Sequence, residues 1–300
     1  MAESPAPDDD AADAENEAPD DNAVPSKYTV ESSNEVSLHI EDHGGEGRPV
    51  VLIHGWPLTS ESWDAQIDVL ISAGFHVVTY DRRGFGGSAT PESGYDYDAF
   101  ADDLHSVLED LDLEDATLVG FSMGGGEVAR YASRHGMQRL HSVVFASAVP
   151  PALMQSEQNP EGPLDEENFQ QMREGLAQDP DSFYDEFVTN FLSAQGELMV
   201  SEGEHAEVLA LARQADQRAA LGSMDAWART DFRSDLESVT VPALILHGDA
   251  DAVVPFEGSG RRTHEALRDA ELVLIEGAPH GVNISHADEF NRGLIEFLVR

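Results

Sequence analysis

The sequence predicts an α/β domain built on a mostly parallel, doubly wound sheet with a helical insertion. Short apolar or β-branched runs alternate with helical periodicity from residue 28 onward. The later runs are nearly all apolar, as parallel strands covered on both faces require. The alternation stops between residues 150 and 238, where only helical patterns occur.

Strands are expected over residues 28–31, 35–41, 49–54, 76–80, 117–121, 142–146, 242–247 and 271–276. Helices are expected over 62–73, 97–113, 123–134, 259–268 and 286–299. The first two strands come with a Gly-rich turn (Gly44, Gly45, Gly47) and form an antiparallel entry to the sheet. Within the insertion, helical patterns cover 165–177, 182–192, 204–221 and 224–231. Pro150, Pro151, Pro160 and Pro163 mark its entrance, and Val241-Pro242 marks the return to a strand. The expected organisation is a disordered acidic tail over 1–26, a core over 27–150 and 239–300, and a helical cap over 151–238.

Composition narrows the chemistry. Cys is absent, which excludes a disulfide framework, a Cys-ligated metal and a Cys nucleophile. No apolar run is long enough to span a membrane, and the N-terminus lacks the basic and apolar regions of a secretory signal. Asp and Glu number 58 against 17 Lys and Arg, a net charge of -41. Lys27 is the only lysine. The first 27 residues carry a net of -8, so the remainder still holds -33. Such a field repels nucleic acid and anionic membranes. It suits a cytoplasm rich in salt, where a Debye length of about 3 Å at 1 M removes the self-repulsion.

The decisive motif is Gly120-Phe-Ser-Met-Gly124, a G-x-S-x-G placed between an apolar strand and an amphipathic helix. A turn that sharp needs small residues on both sides of Ser122. It aims the hydroxyl into the cleft at a helix N-terminus, where developing negative charge is favoured. The backbone N–H of Met123 points the same way.

A serine hydroxyl needs a base, and the base needs an orienting carboxylate. In this topology the acid and then the histidine follow the serine along the chain. Asp249 and Asp251, after the 242–247 strand, compete for the acid role. The loser is expected to hold a turn through local backbone N–H groups. Their spacing lacks the remaining ligands of a calcium loop, so no metal is expected. His280 is the base candidate because it lies in the loop after the last strand. His54 and His247, at strand ends, are expected to hydrogen-bond loops. The second oxyanion donor is expected at Trp56, after the 49–54 strand, with its indole shaping an acyl pocket. Phe183, Phe187 and Phe191 share one helical face, suited either to core packing or to lining a substrate pocket.

Together, His54-Gly-Trp-Pro57, Asp81-Arg-Arg-Gly-Phe-Gly-Gly-Ser88, Gly120-Phe-Ser-Met-Gly-Gly-Gly126, His247-Gly-Asp-Ala-Asp-Ala-Val-Val-Pro255 and Ala278-Pro-His-Gly281 resemble a known group of α/β-hydrolases. These are the cofactor-free (non-haem) haloperoxidases, a family that includes aryl esterases. The resemblance runs from about residue 28 to 300 and weakens in the insertion. It implies the α/β-hydrolase fold, Asp251 as the catalytic acid, and oxyanion donors at Trp56 and Met123. It also implies ester hydrolysis through a serine acyl-enzyme without haem, metal or other cofactor. Hydrogen peroxide can replace water in the second step, giving a peracid that oxidises halide outside the enzyme. Pro57 resembles the members with marked peroxide-dependent activity. The expected partners are a small ester, hydrogen peroxide and a carboxylic acid, and a homo-oligomer is allowed. A lactonase or C–C bond hydrolase would use the same triad, and a ligand-binding member without turnover would keep the same cleft. Alkyl-enzyme chemistry is disfavoured, because it needs a carboxylate where Ser122 stands.

Overall fold

The computed structural model describes Met1 and residues 26–300. The tail expected over 1–26 therefore lies, apart from its two end residues, outside the described residues.

The chain runs β1 (Ser26–Glu31), β2 (Ser37–Gly44), β3 (Pro49–Ile53), α1 (Asp64–Ser72), β4 (His76–Tyr80), α2 (Tyr97–Asp110), β5 (Ala116–Phe121), α3 (Met123–His135) and β6 (Leu140–Ala146). Next come α4 (Glu166–Gln178), α5 (Pro180–Phe191), the short strands β7 (Ser193–Ala194) and β8 (Glu197–Leu198), α6 (Glu202–Ala212), α7 (Gln217–Arg229) and α8 (Arg233–Leu236). It closes with β9 (Ala243–Gly248), α9 (Gly260–Ala266), β10 (Ala270–Ile275), α10 (Val282–Ser285) and α11 (Ala287–Leu298).

Eight strands form one sheet in the order β1-β2-β4-β3-β5-β6-β9-β10. β1 and β2 pair antiparallel, β2 meets β4 antiparallel, and every later pairing is parallel. Central strands are mostly apolar because both of their faces are covered: β5 and β9 are buried at every residue, Thr117 and His247 being their polar members. β10 departs from the expectation. It is the edge strand, and Leu272 and Leu274 remain 39% and 44% exposed.

The insertion differs from its expected outline in three respects. Residues 204–221 form no single helix. α6 ends at Ala212, and α7 starts afresh where the Asp216 carboxylate accepts the N–H groups of Arg218 and Ala219. An N-cap of this kind stabilises a new helix start rather than continuation. The pattern expected over 224–231 is the second half of α7, which ends at Arg229. The insertion also holds a small antiparallel pair, β7 with β8, where only helices were expected. α6 begins at a capping box in which Ser201 and Glu204 satisfy each other's backbone N–H groups.

Candidate active site

β5 delivers Ser122 to α3 through a strained turn. Ser122 has φ 53° and ψ -115°, outside the regions an L-residue prefers, at a cost of about 1–3 kcal/mol. Three backbone bonds hold it there. Its N–H donates to Ala146 O at 2.8 Å, and its carbonyl accepts from Gly125 at 3.1 Å and Val149 at 3.1 Å. The flanking glycines are required by contact. A Cβ on Gly120 would lie 2.4 Å from Gly124 O, and one on Gly124 would lie 2.6 Å from Ile53 O.

Ser122 Oγ lies 2.9 Å from His280 Nε2, and His280 Nδ1 lies 2.7 Å from Asp251 Oδ2. The structure thus brings together three side chains drawn from the ends of three strands. All three are buried. Asp251 Oδ1 accepts the N–H groups of Val253 at 2.9 Å and Val254 at 2.8 Å. Burial alone would raise the Asp251 carboxyl. The charge on His280 and hydrogen bonds from His247 and His280 outweigh it and hold the carboxyl well below its usual range. Asp249 accepts a backbone N–H as expected of the competing carboxylate, but not a local one: its Oδ1 takes the N–H of Gly277 at 2.6 Å, 28 residues on, and ties two loops together. The His280 ring is braced by Phe121 and Phe191, with centroids 5.2 Å away in each case.

Met123 opens α3, so its N–H has no carbonyl partner within the helix. Trp56 follows β3 on the loop across from it. Its indole Nε1 donates to Ala220 O in α7 at 3.0 Å, and its ring packs among Phe183, Tyr184, Phe187 and Trp227.

Ser122 opens into a cavity of about 760 Å³. Its buried wall includes Trp56, Val149, Leu153, Phe187, Trp227 and Val254. Its exposed wall carries Asn168, Gln171, Asp179, Ser182, Glu186 and Asn190. Two carboxylates and no Lys, Arg or His occur among the described residues that line it. Phe183 and Phe187 line the cavity, but Phe191 does not. It packs behind His280 instead, so the aromatic stripe divides between the cavity wall and support of the His280 ring.

The segment Asp81-Arg82-Arg83-Gly84 reads in the sequence as a cleft wall built by ion pairs and turns, but nothing there names the partner that Arg82 finds behind the serine. Glu127, on α3, accepts from Arg82 Nε at 2.8 Å and from the Tyr80 hydroxyl. Arg82 Nη2 donates to His54 O at 2.8 Å, and Arg82 N–H donates to His54 Nε2 at 2.9 Å. Burial pushes the Glu127 carboxyl well up and pulls Arg82 down to about 10, the latter against the charges of Tyr97, Asp103 and Asp81. Arg82 and Glu127 are 45 residues apart, and only a carboxylate on the buried face of α3 could have signalled the pair.

Residues 48–287 match the family model for the alpha/beta hydrolase fold. The chain belongs to the α/β hydrolase family. Among similar members is the non-heme chloroperoxidase CPO-A1 of Kitasatospora aureofaciens, 42% identical over 85% of this chain and 93% of the relative. The bifunctional esterase/perhydrolase of Acinetobacter calcoaceticus is 37% identical over 90% of this chain and 98% of its own. The crystal structure of a bromoperoxidase from Bacillus anthracis superimposes with a TM-score of 0.89. It shares 49% identity and covers 92% of this chain and 100% of that one. As an α/β hydrolase, this chain shares its fold with esterases and with non-heme haloperoxidases alike. Among the described residues no helix is long and apolar enough to cross a membrane.

Proposed function

We propose that this α/β hydrolase is a serine esterase that cleaves neutral carboxylic esters through an acyl-enzyme and passes the acyl group to water or hydrogen peroxide. The observation that carries the reading is the hydrogen-bonded series Ser122–His280–Asp251, whose serine faces an aromatic cavity.

In this mechanism His280 Nε2 takes the Ser122 proton as Oγ attacks the ester carbonyl. The N–H groups of Trp56 and Met123 hold the oxyanion, and one such donor is worth about 3 kcal/mol in related chemistry. Asp251 keeps His280 in the tautomer with its proton on Nδ1 and stabilises the imidazolium. Collapse expels the alcohol, which takes the proton from His280. Water or peroxide then gives His280 a proton, attacks the acyl carbon and leaves as acid or peracid, with Ser122 reprotonated. A released peracid oxidises halide in solution, returning the carboxylic acid.

The lining supports a neutral substrate. Aromatic walls suit an apolar acyl or aryl group. Asp179 and Glu186, with no cation among the described lining residues, disfavour a carboxylate-bearing one. Residues 151–238 act as the cap that supplies most of this wall. The chain's acidity is read as adaptation to high salt.

The test is p-nitrophenyl acetate hydrolysis by the wild type and Ser122→Ala, with and without hydrogen peroxide and bromide. Repeated turnover that disappears in Ser122→Ala, with peroxide-dependent bromination, is the expected result. A folded wild type without turnover refutes the esterase reading.

A further inference from the structure

A second histidine meets the acid of the Ser122–His280–Asp251 series. His247, in β9, has a fully buried side chain. Its Nε2 lies 2.9 Å from Val254 O and 3.2 Å from Asp251 Oδ2. A carbonyl oxygen only accepts, so Nε2 carries the hydrogen and shares it between the two oxygens. Nδ1 is then the lone-pair nitrogen, consistent with its burial without a hydrogen-bond partner.

The carboxylate is fully engaged as a result. Val253 and Val254 donate to Oδ1, while His280 and His247 donate to Oδ2. Four donors match the four lone pairs of an ionised carboxylate. The His247 ring is packed between Phe256 and the backbone of Gly260. Phe256 meets it edge-on at 5.5 Å, and a Cβ on Gly260 would come within 2.6 Å of Nδ1.

We propose that His247 is a positioning residue that fixes Asp251 Oδ2, and through it the plane of the His280 ring. The same hydrogen anchors the carbonyl of Val254, which lines the cavity. Acid and cavity wall are thereby set by one side chain. This role rests on the esterase reading for its effect on turnover but not for its effect on geometry.

The test compares His247→Leu, which keeps bulk without a donor, with His247→Gln, whose amide can donate at similar reach. Reactive serines are counted with a fluorophosphonate, kcat and KM for p-nitrophenyl acetate are expressed per titrated serine, and the downfield proton resonance of His280 Nδ1–H is recorded. The Leu variant is expected to lose about tenfold or more in kcat with KM little changed, as misoriented catalytic groups do. Its resonance moves, and the Gln variant restores both. A purely structural residue would lower the number of reactive serines and leave kcat per serine alone. A Leu variant with wild-type kcat per serine and an unmoved resonance overturns the proposal. Should His247→Leu fail to fold, His247→Asn replaces it, since its shorter amide falls short of Oδ2. Equal Asn and Gln resonances would overturn the proposal. If the wild type itself lacks turnover, the esterase reading falls, while the resonance comparison still decides the role of His247.

Discussion

Glu127 and Arg82 form a fully buried ion pair behind Ser122, with Glu127 Oε2 and Arg82 Nε 2.8 Å apart. Glu127 sits on the helix that Ser122 begins, and Arg82 holds the carbonyl of His54 beside the Trp56 loop. One charge pair therefore ties the Ser122 turn to the loop opposite it. Removing one partner leaves the other buried and uncompensated. Arg82→Met is expected to lose about 3–5 kcal/mol of stability, measured as a lower midpoint in urea unfolding. A loss within the scatter of surface substitutions would show that the pair is not coupled to the fold.

The serine and the acid separate by the size of their effects. Ser122→Ala is expected to lower kcat by roughly 10⁶-fold, as for other triad nucleophiles. Asp251→Asn is expected to lower it by about 10⁴-fold, because the amide favours the wrong His280 tautomer. Asp249→Asn serves as the contrast: its carboxylate holds only the Gly277 turn, so it should affect stability far more than kcat. Steady-state kinetics on the three purified variants checks the order.

Glu186 on the cavity's exposed wall gives the substrate reading a charge test. Glu186→Lys should raise kcat/KM for 4-nitrophenyl hydrogen succinate relative to 4-nitrophenyl acetate by about fivefold at low salt. The gain should shrink as salt is added. An unchanged ratio would remove electrostatics from substrate choice.

His54 is a source of acid sensitivity. Burial, followed by the charge of Arg82, holds its imidazole well below the ordinary value of 6.5. The unfolded chain binds a proton near pH 6.5 that the folded chain refuses. Stability is therefore full above that pH and is lost as the pH falls, by about 1.4 kcal/mol per pH unit for one proton. Urea midpoints between pH 7.5 and 5 should fall in the wild type and fall less steeply in His54→Gln.

Salt should act in the opposite sense to dilution. With a net charge of -41, screening is expected to raise the melting temperature between millimolar and molar KCl. A melting temperature indifferent to KCl would argue that the acids are spaced too widely to repel.

Much of the site could be read locally, because each piece is announced by its own turn. Gly120 and Gly124 are contact requirements of one bend, and Asp251 and His280 each follow a strand by a few residues. The choice between Asp249 and Asp251 was different. Both sit on the same loop; residue type leaves them level, the resemblance implies Asp251, and the path of the chain shows that Asp251 faces His280 while Asp249 faces Gly277. Arg82 with Glu127, and Trp56 with Ala220, are contacts across long sequence separations that no local pattern records. The break between α6 and α7 was hidden for another reason. Residues 204–221 keep helical character on both sides of Asp216, so a single capping carboxylate decides the division.

Among the bonds that stitch the insertion to the sheet domain are Trp56 Nε1 to Ala220 O, Gly281 N–H to Phe191 O and Asp216 N–H to Gly84 O, with Arg130 to Asp235 and Arg262 to Asn159 farther off. One stitch ends on the Trp56 side chain and another on the residue after His280. An insertion fastened there cannot swing aside without disturbing both. On the esterase reading, the space beside Ser122 keeps its width through a catalytic cycle, so discrimination between esters rests on the dimensions of the cavity and not on closure around the substrate.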